Sequence, residues 1–158
     1  FGYEPRGKPV LNYPPCRFQF NLSHSQAMLL CAVTIDHPVG IDLEFIRSTA
    51  DLEQLTERFF LPQEHRTIHA LPPEQRLYAF FQHWTSKEAV LKALGVGLAD
   101  LESVEVAFTN GVATLMRLGD DTAPAWQLHS FSPAPDCLAA IAVQGSLKPI
   151  EFWDWPPV

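Results

Sequence analysis

Two pairs of charged residues have the types and spacing that metal-assisted chemistry needs, and the first is Asp42 with Glu44. These carboxylates are two residues apart in an alternating apolar run, so on a strand they project from the same face. Mg²⁺ prefers oxygen ligands and usually takes one or two carboxylates together with substrate phosphates and water. The pair suits one hard cation, although most such strand pairs simply form a solvated face.

The second pair, Glu88 and Lys92, lies in a segment with helical periodicity. Phe81 and Trp84 precede it at spacings of three and four residues, so all four side chains share one stripe of a helix. Glu–Lys pairs four residues apart are common on exposed helix surfaces and contribute little stability. Here, however, the two charges are in line with large aromatic side chains that should face the protein. A carboxylate and an ammonium on such a stripe indicate a site.

Two upstream segments could supply further ligand contacts. Lys8 stands between a glycine and a proline, and Ser23 and His24 follow the first predicted strand. Lysine can act as a point charge for phosphate, and histidine can hydrogen-bond to it. Each residue also has a structural reading, Lys8 as an exposed loop lysine and His24 as a turn residue.

The carboxylate pair and the upstream segments require strands to position them. Short apolar or alternating runs predict a small antiparallel lobe of three strands, at residues 17–22, 28–34 and 39–43. Helical spacing begins with Leu52, and Pro62 is suited to the first turn of a second helix. The longest helix is predicted at residues 73–94, with Gly95 as its C-terminal stop.

Strands return after this helix. Residues 103–109 and 112–118 flank an Asn-Gly dipeptide, which is typical of two-residue hairpin turns. We expect residues 126–131 and 137–143 to extend the same sheet. Because strands precede and follow the helices without regular alternation, the order predicts an α+β fold rather than a doubly wound sheet.

Composition restricts the classes of function. The 158 residues are 47% hydrophobic and can bury one core or two small lobes. The net charge of −7 (11 basic against 18 acidic residues) argues against a nucleic-acid binder, which needs many lysine and arginine contacts to phosphates. No run approaches the roughly 18 apolar residues of a membrane span. The three cysteines lack metal-site spacing and are expected to be reduced core residues of a cytoplasmic protein.

Taken together, four segments resemble the surfactin-type, two-lobed 4'-phosphopantetheinyl transferases. That family carries a G-K-P segment, an F-N-L/I-S-H-S segment, a G-I/V-D-I/L-E strand and a W-S/T-x-K-E-A/S-x-x-K helix, in this order. The four occur here at residues 7–9, 20–25, 40–44 and 84–92. Any one of them would be weak evidence, but four in order are specific.

The resemblance implies two pseudo-related lobes, each a small antiparallel sheet with packed helices, in a monomer. Residues 1–46 would be the remainder of an incomplete N-terminal lobe, and residues 47–158 the C-terminal lobe. The sequence opens without an initiator methionine, so we expect a fragment or a processed product whose first lobe a longer N-terminal region completes.

The resemblance also implies a reaction and residue roles. The 4'-phosphopantetheine arm of coenzyme A would move to a serine of an acyl or peptidyl carrier protein, releasing 3',5'-ADP. Mg²⁺ would be held by Asp42, Glu44 and Glu88, and Glu88 is either the base for the serine proton or only a metal ligand. Lys92 would balance charge on the pyrophosphate. The nucleotide end would be held by Lys8, Ser23 and His24, with His24 at the 3'-phosphate, and the carrier acids would be met by Lys87 and Arg47.

Three alternatives remain at this point. A metal-dependent phosphohydrolase could use the same carboxylates and would release phosphate without a carrier. A truncated or degenerate homologue would bind coenzyme A or the carrier without transfer. In a plain α+β domain the four charged residues of the two pairs would be well-separated surface charges.

Overall fold

The computed structural model describes residues 1–14, 16–49, 51–122, 125–145 and 149–155. Strands come first, helices follow and strands return, so the predicted α+β class is confirmed. The strands are β1 (Gly2–Tyr3), β2 (Pro9–Val10), β3 (Phe18–Ser25), β4 (Met28–Ile35), β5 (Val39–Phe45), β6 (Val104–Thr109), β7 (Val112–Leu118), β8 (Asp121–Thr122), β9 (Trp126–Phe131) and β10 (Cys137–Gln144). The helices are α1 (Leu52–Phe59), α2 (Pro62–His69) and α3 (Pro73–Leu94), and a short 3₁₀ helix spans Leu98–Ser103.

Helix α3 has the predicted bounds. It starts at Pro73, whose missing amide hydrogen costs nothing in a first turn, and it ends before Gly95. The φ angle of Gly95 is 69°, the left-handed conformation that closes many helices and that glycine adopts without strain. The predicted hairpin turn is also confirmed, because Asn110 and Gly111 both have positive φ between β6 and β7.

A three-stranded antiparallel sheet, in the order β5-β10-β9, forms the centre of the fold. Two expectations about strand pairing were therefore wrong: β5 does not pair by its backbone with β3 or β4, and β9 and β10 do not extend the β6–β7 hairpin. The physical reason is that β10 is buried along residues 137–143. Because the amides and carbonyls of a buried strand must be hydrogen-bonded, both of its edges need partners, and β5 and β9 provide them.

Helix α3 packs directly on this sheet. Its residues Ala89, Val90 and Leu91 are buried in the main apolar cluster together with Ala140 and Ala142 of β10. Gly40 of β5 allows the close approach, because a Cβ at that position would overlap the Ala89 carbonyl oxygen and the Ala93 amide nitrogen. The helix and the strand that carry the predicted chemistry are thus in contact.

The remaining elements surround this unit. Strands β3 and β4 form an antiparallel hairpin that lies along the edge of β5.

Cys137 is buried as expected, but Cys16 and Cys31 are exposed, so the prediction that all three cysteines belong to the core was wrong. Cys31 lies on a face of β4 whose other members, Leu29, Val33 and Ile35, are also exposed. None of the described helices is both long and apolar enough to cross a lipid bilayer. The boundary between lobes at residues 46 and 47 stays a prediction.

Candidate functional site

A cavity of about 300 Å³ opens between β3, β5 and α3. It brings together residues that are far apart in the sequence, since β4 separates β3 from β5, and the helices α1 and α2 separate β5 from α3. Six of the seven predicted site residues line it: Ser23, His24, Asp42, Glu44, Glu88 and Lys92. Lys8 does not.

Strand and helix periodicity account for how these side chains meet. Asp42 and Glu44 are two residues apart on β5 and both line the cavity. Trp84, Glu88 and Lys92 are four residues apart on α3 and form its opposite wall. Phe81, also predicted for this stripe, is instead buried in an apolar cluster beneath the helix.

Burial changes the electrostatics of the three carboxyl groups. Desolvation raises the pKa of Asp42, while the Lys92 ammonium 2.6 Å from its Oδ1 and the Ser23 hydroxyl oppose that rise. Desolvation and the nearby charge of Asp42 raise the pKa of Glu44. Desolvation, with repulsion from Asp42 and Glu44, raises the pKa of Glu88 to about 7, and Lys92 opposes this. Such mutual repulsion is relieved by a cation.

The carboxylate oxygens are not all satisfied by the protein. Among the described residues, Asp42 Oδ2 and Glu88 Oε1 are buried without a hydrogen-bond partner. Across the described ranges, however, no three histidine, cysteine or acidic side chains are grouped closely enough to hold a metal ion by themselves. Both facts fit an ion that takes one or two carboxylates and completes its coordination with substrate oxygens and water.

Lys8 and Lys87 have structural contacts instead. The Lys8 ammonium donates to the Ala93 carbonyl oxygen at 2.6 Å, at the end of α3, and burial lowers its pKa. A contact of Lys8 with a nucleotide stays a prediction. Lys87 is fully buried and pairs with Glu64 at 2.6 Å, so its expected role as a surface partner for carrier acids was wrong.

Arg47 is exposed and close enough to Glu44 that its charge opposes the rise in the pKa of Glu44.

Four residues of the site were missed. Leu22, Leu43 and Leu98 line the cavity beside the charged residues. Ser25 donates to Glu44 Oε2 at 3.5 Å, and its position two residues after Ser23 on a strand could have indicated this. Nothing in the residue type of the three leucines distinguishes them from core leucines.

The protein can be placed among known families by its sequence. The model of the 4'-phosphopantetheinyl transferase superfamily matches residues 38–142, which include β5, α3 and β10. The chain belongs to this superfamily. Asp42, Glu44, Glu88 and Lys92 all lie within the matched range.

Curated members of the superfamily match beyond that range. The 4'-phosphopantetheinyl transferase HetI of Nostoc sp. is 46% identical over 157 residues, which are 98% of this chain and 65% of HetI. The 4'-phosphopantetheinyl transferase psf-1 of Bacillus pumilus is 39% identical over 136 residues, which are 85% of this chain and 57% of psf-1. The chain therefore spans less than two thirds of the length of these relatives.

A solved structure is similar in fold. The holo-[acyl-carrier-protein] synthase of Thermotoga maritima aligns with a TM-score of 0.53 and 24% identity, covering 70% of this chain and 64% of that chain. At this identity the likeness concerns the fold of the superfamily alone.

Proposed function

We propose that this superfamily member transfers the 4'-phosphopantetheine arm of coenzyme A to a serine of an acyl or peptidyl carrier protein and releases 3',5'-ADP. The observation that carries the proposal is the cavity in which Asp42, Glu44, Glu88 and Lys92 meet, with two carboxylate oxygens left unpaired among the described residues. Phosphoryl transfer depends on in-line positioning and on neutralising charge, and this cavity offers groups for both.

Mg²⁺ fits the donor set. Asp42, Glu44 and Glu88 are its candidate ligands, since all three line one cavity; one or two of them would bind it directly, and substrate oxygens and water would complete its coordination. Bound magnesium would neutralise charge on the pyrophosphate of coenzyme A.

The protein's own residues divide the remaining work. Glu88 receives the proton of the carrier serine, directly or through water, as that hydroxyl oxygen forms a bond to the β-phosphorus of coenzyme A. The bond from this phosphorus to the bridging oxygen breaks, and 3',5'-ADP leaves. Lys92 donates hydrogen bonds to the pyrophosphate and balances its charge. Its partial exposure at the cavity leaves the ammonium accessible to a ligand.

The nucleotide end is assigned to β3 and the segment before it. His24 is exposed at the cavity and would donate to the 3'-phosphate, with Ser23 beside it. Lys8 would join them only by leaving the Ala93 carbonyl oxygen. We therefore assign the main 3'-phosphate contact to His24.

We also propose the two-lobed, monomeric type, with residues 1–46 as the remainder of the first lobe. The outer face of the β3–β4 hairpin supports this, because it leaves large apolar side chains exposed, including Phe18, Leu29, Val33 and Ile35. About a third of HetI and about two fifths of psf-1 also lie outside the part that this chain matches. Additional chain in the first lobe would cover this face.

The deciding experiment is intact-mass measurement of an apo carrier protein incubated with coenzyme A, Mg²⁺ and this chain. We expect the phosphopantetheine adduct on the carrier, but not on a carrier whose acceptor serine is alanine, nor in excess EDTA. Phosphate release without a carrier would indicate a hydrolase instead. Binding of coenzyme A without any adduct would indicate a module that does not catalyse transfer.

A further inference from the structure

The edge of β5 that faces β3 has an unusual set of hydrogen bonds. Its amide protons are accepted by side chains of β3 rather than by a strand backbone. The bonds run from Ile41 N to Asn21 Oδ1 (2.9 Å), from Leu43 N to Ser23 Oγ (3.1 Å) and from Phe45 N to Ser25 Oγ (3.1 Å). We call these three contacts the side-chain ladder.

The ladder has a regular register. Each rung joins a β3 residue to the residue twenty positions later, and successive rungs are two residues apart, as the strand period requires. The carboxylates of Asp42 and Glu44 belong to the residues just before the second and third amides. A slip of one residue would move these carboxylates to the opposite face.

The two serine hydroxyls also contact these carboxylates. Ser23 Oγ lies 3.2 Å from Asp42 Oδ1, and Ser25 Oγ lies 3.5 Å from Glu44 Oε2. Asn21 has no carboxylate partner of this kind, because its rung accepts the amide of Ile41, and the residue before Ile41 is Gly40, which has no side chain. The first rung therefore holds the strand only, whereas the second and third also reach the site.

The hydrogen-bonding capacity of Ser23 matches its surroundings. A hydroxyl has one proton to donate and two lone pairs that accept. Ser23 accepts from Leu43 N and from the Lys92 ammonium at 3.1 Å, and it donates to Asp42. Each capacity is used once, so the serine fixes the carboxylate relative to the strand that carries it.

We propose that Ser23 and Ser25 are positioning residues, which orient the Asp42 and Glu44 carboxylates for a divalent cation. The proposal rests on the metal site of the proposed function. Hydrogen-bond partners that orient metal ligands typically change metal affinity by about 10- to 100-fold when removed. Ser25 is the cleaner test, because Ser23 also contacts Lys92.

The first measurement is binding of Mn²⁺, followed by electron paramagnetic resonance with coenzyme A present and no carrier protein. We expect Ser25→Ala to weaken Mn²⁺ binding about tenfold and Ser25→Thr, which keeps the hydroxyl, to stay within about twofold of the unaltered protein. Asn21→Ala is the matched control, since it removes a rung without touching a carboxylate. It should also stay within about twofold.

The second measurement does not depend on the function. Amide hydrogen exchange, followed by NMR, should become about five- to tenfold faster at Phe45 in Ser25→Ala, the loss expected for one hydrogen bond. Exchange at Ile41 should change only in Asn21→Ala. Ser103→Ala removes a hydroxyl that donates to the Asp100 carbonyl oxygen, outside the ladder, and should leave both amides unchanged.

The outcomes separate the proposals. Unchanged exchange at Phe45 in Ser25→Ala would overturn the ladder. If exchange at Phe45 is faster in Ser25→Ala while Mn²⁺ binding is unaltered, the serine only accepts the β5 amide and does not position Glu44. The positioning role would also be overturned if Asn21→Ala weakened Mn²⁺ binding as much as Ser25→Ala does. If the unaltered protein binds no Mn²⁺, the metal site of the proposed function fails together with the positioning role, while the exchange rates still decide the ladder.

Discussion

The carboxylates of the cavity differ in how the protein satisfies them, and this difference bears on their roles. Asp42 Oδ1 forms an ion pair with the Lys92 ammonium, and Asp42 Oδ2 is unpaired among the described residues. Glu88 has a buried oxygen without a partner in the described ranges and no ion pair, so burial and its acidic neighbours raise its pKa to about 7. A group that neither a salt bridge nor a hydrogen bond restrains at this oxygen is free to meet a ligand.

We predict that Glu88→Gln lowers the rate of transfer to a carrier serine by at least about 100-fold at saturating Mg²⁺. The change keeps the shape of the side chain but removes the charge that a metal or a serine proton requires. Glu105→Gln is the control, because Glu105 pairs with Arg117 away from the cavity and should leave the rate unchanged. Undiminished transfer by Glu88→Gln would remove this residue from the mechanism.

The assignment of His24 to the 3'-phosphate predicts how the protein distinguishes coenzyme A from dephospho-coenzyme A. If it holds the 3'-phosphate, His24→Ala should raise the KM for coenzyme A about tenfold and leave the KM for dephospho-coenzyme A nearly unchanged, because only the former carries that phosphate. The two KM values are measured with one carrier protein. His37→Ala, a histidine outside the cavity, should alter neither. Equal increases for both substrates would contradict the assignment.

At the scale of elements, α3 has one side at the cavity and another in the protein interior. One side carries Glu88 and Lys92 into the cavity, and the preceding residue, Lys87, is buried beneath the helix against Glu64 of α2. Glu64 also accepts the amides of Leu61 and Val106 at 2.9 Å each. The helix that presents the site is therefore tied to α2 and β6 from behind.

The contact between α3 and β5 should be sensitive to one added carbon. Gly40→Ala places a Cβ against the backbone of α3, so we expect a loss of about 2–4 kcal/mol in the free energy of unfolding and a marked fall in transfer rate. Denaturant unfolding and the transfer assay measure the two effects. Gly97→Ala is the control, since no atom lies within 4 Å of its added carbon and its φ is −112°. Equal stability of both variants would contradict the close-approach argument.

The buried ion pair behind α3 gives a second prediction of stability. Lys87→Met should lower the free energy of unfolding by about 3 kcal/mol, because it leaves the Glu64 charge buried without its cation. Arg17→Met removes one partner of an exposed pair with Asp36 and should cost less than about 1 kcal/mol. Both are measured by urea unfolding. A similar small cost for both would mean that Glu64 is satisfied by its amide donors alone.

The sequence predicted these elements better than their contacts. Pro73 and Gly95 delimit α3 because their backbone preferences are local, and the same holds for the Asn110-Gly111 turn. Pairing of β5 with β10 joins strands about a hundred residues apart, and periodicity carries no information about partners. The burial of Lys87 could not be predicted for the same reason, since Glu64 lies 23 residues away on another helix.

At the scale of the whole molecule, buried titratable groups make stability depend on pH in opposing ways. Burial raises the pKa of Asp42, Glu44 and Glu88, so the folded state binds their protons more readily and these groups favour folding as the pH falls. Burial lowers the pKa of His83, which therefore has the opposite effect. Comparison of a variant with the unaltered protein cancels the carboxylate contribution and isolates the histidine.

His83 is buried between the Phe60 and Phe108 rings, and its Nδ1 lies 2.8 Å from the Ala79 carbonyl oxygen, to which the neutral ring donates. Of its charged neighbours, Glu64 favours protonation and Lys87 opposes it, with desolvation the largest influence on the pKa. Because the folded pKa lies below the unfolded value of about 6.5, the histidine's contribution is complete above that pH and declines as the pH falls below it.

We expect His83→Asn, which keeps a donor for Ala79, to remove this decline. Its difference in free energy of unfolding from the unaltered protein should shrink between about pH 7 and pH 5.5, by at most about 1.4 kcal/mol per pH unit, the limit for one proton. Urea unfolding at several pH values measures it. A difference that stays constant with pH for His83→Asn would mean that the folded protein protonates His83 as readily as the unfolded chain does.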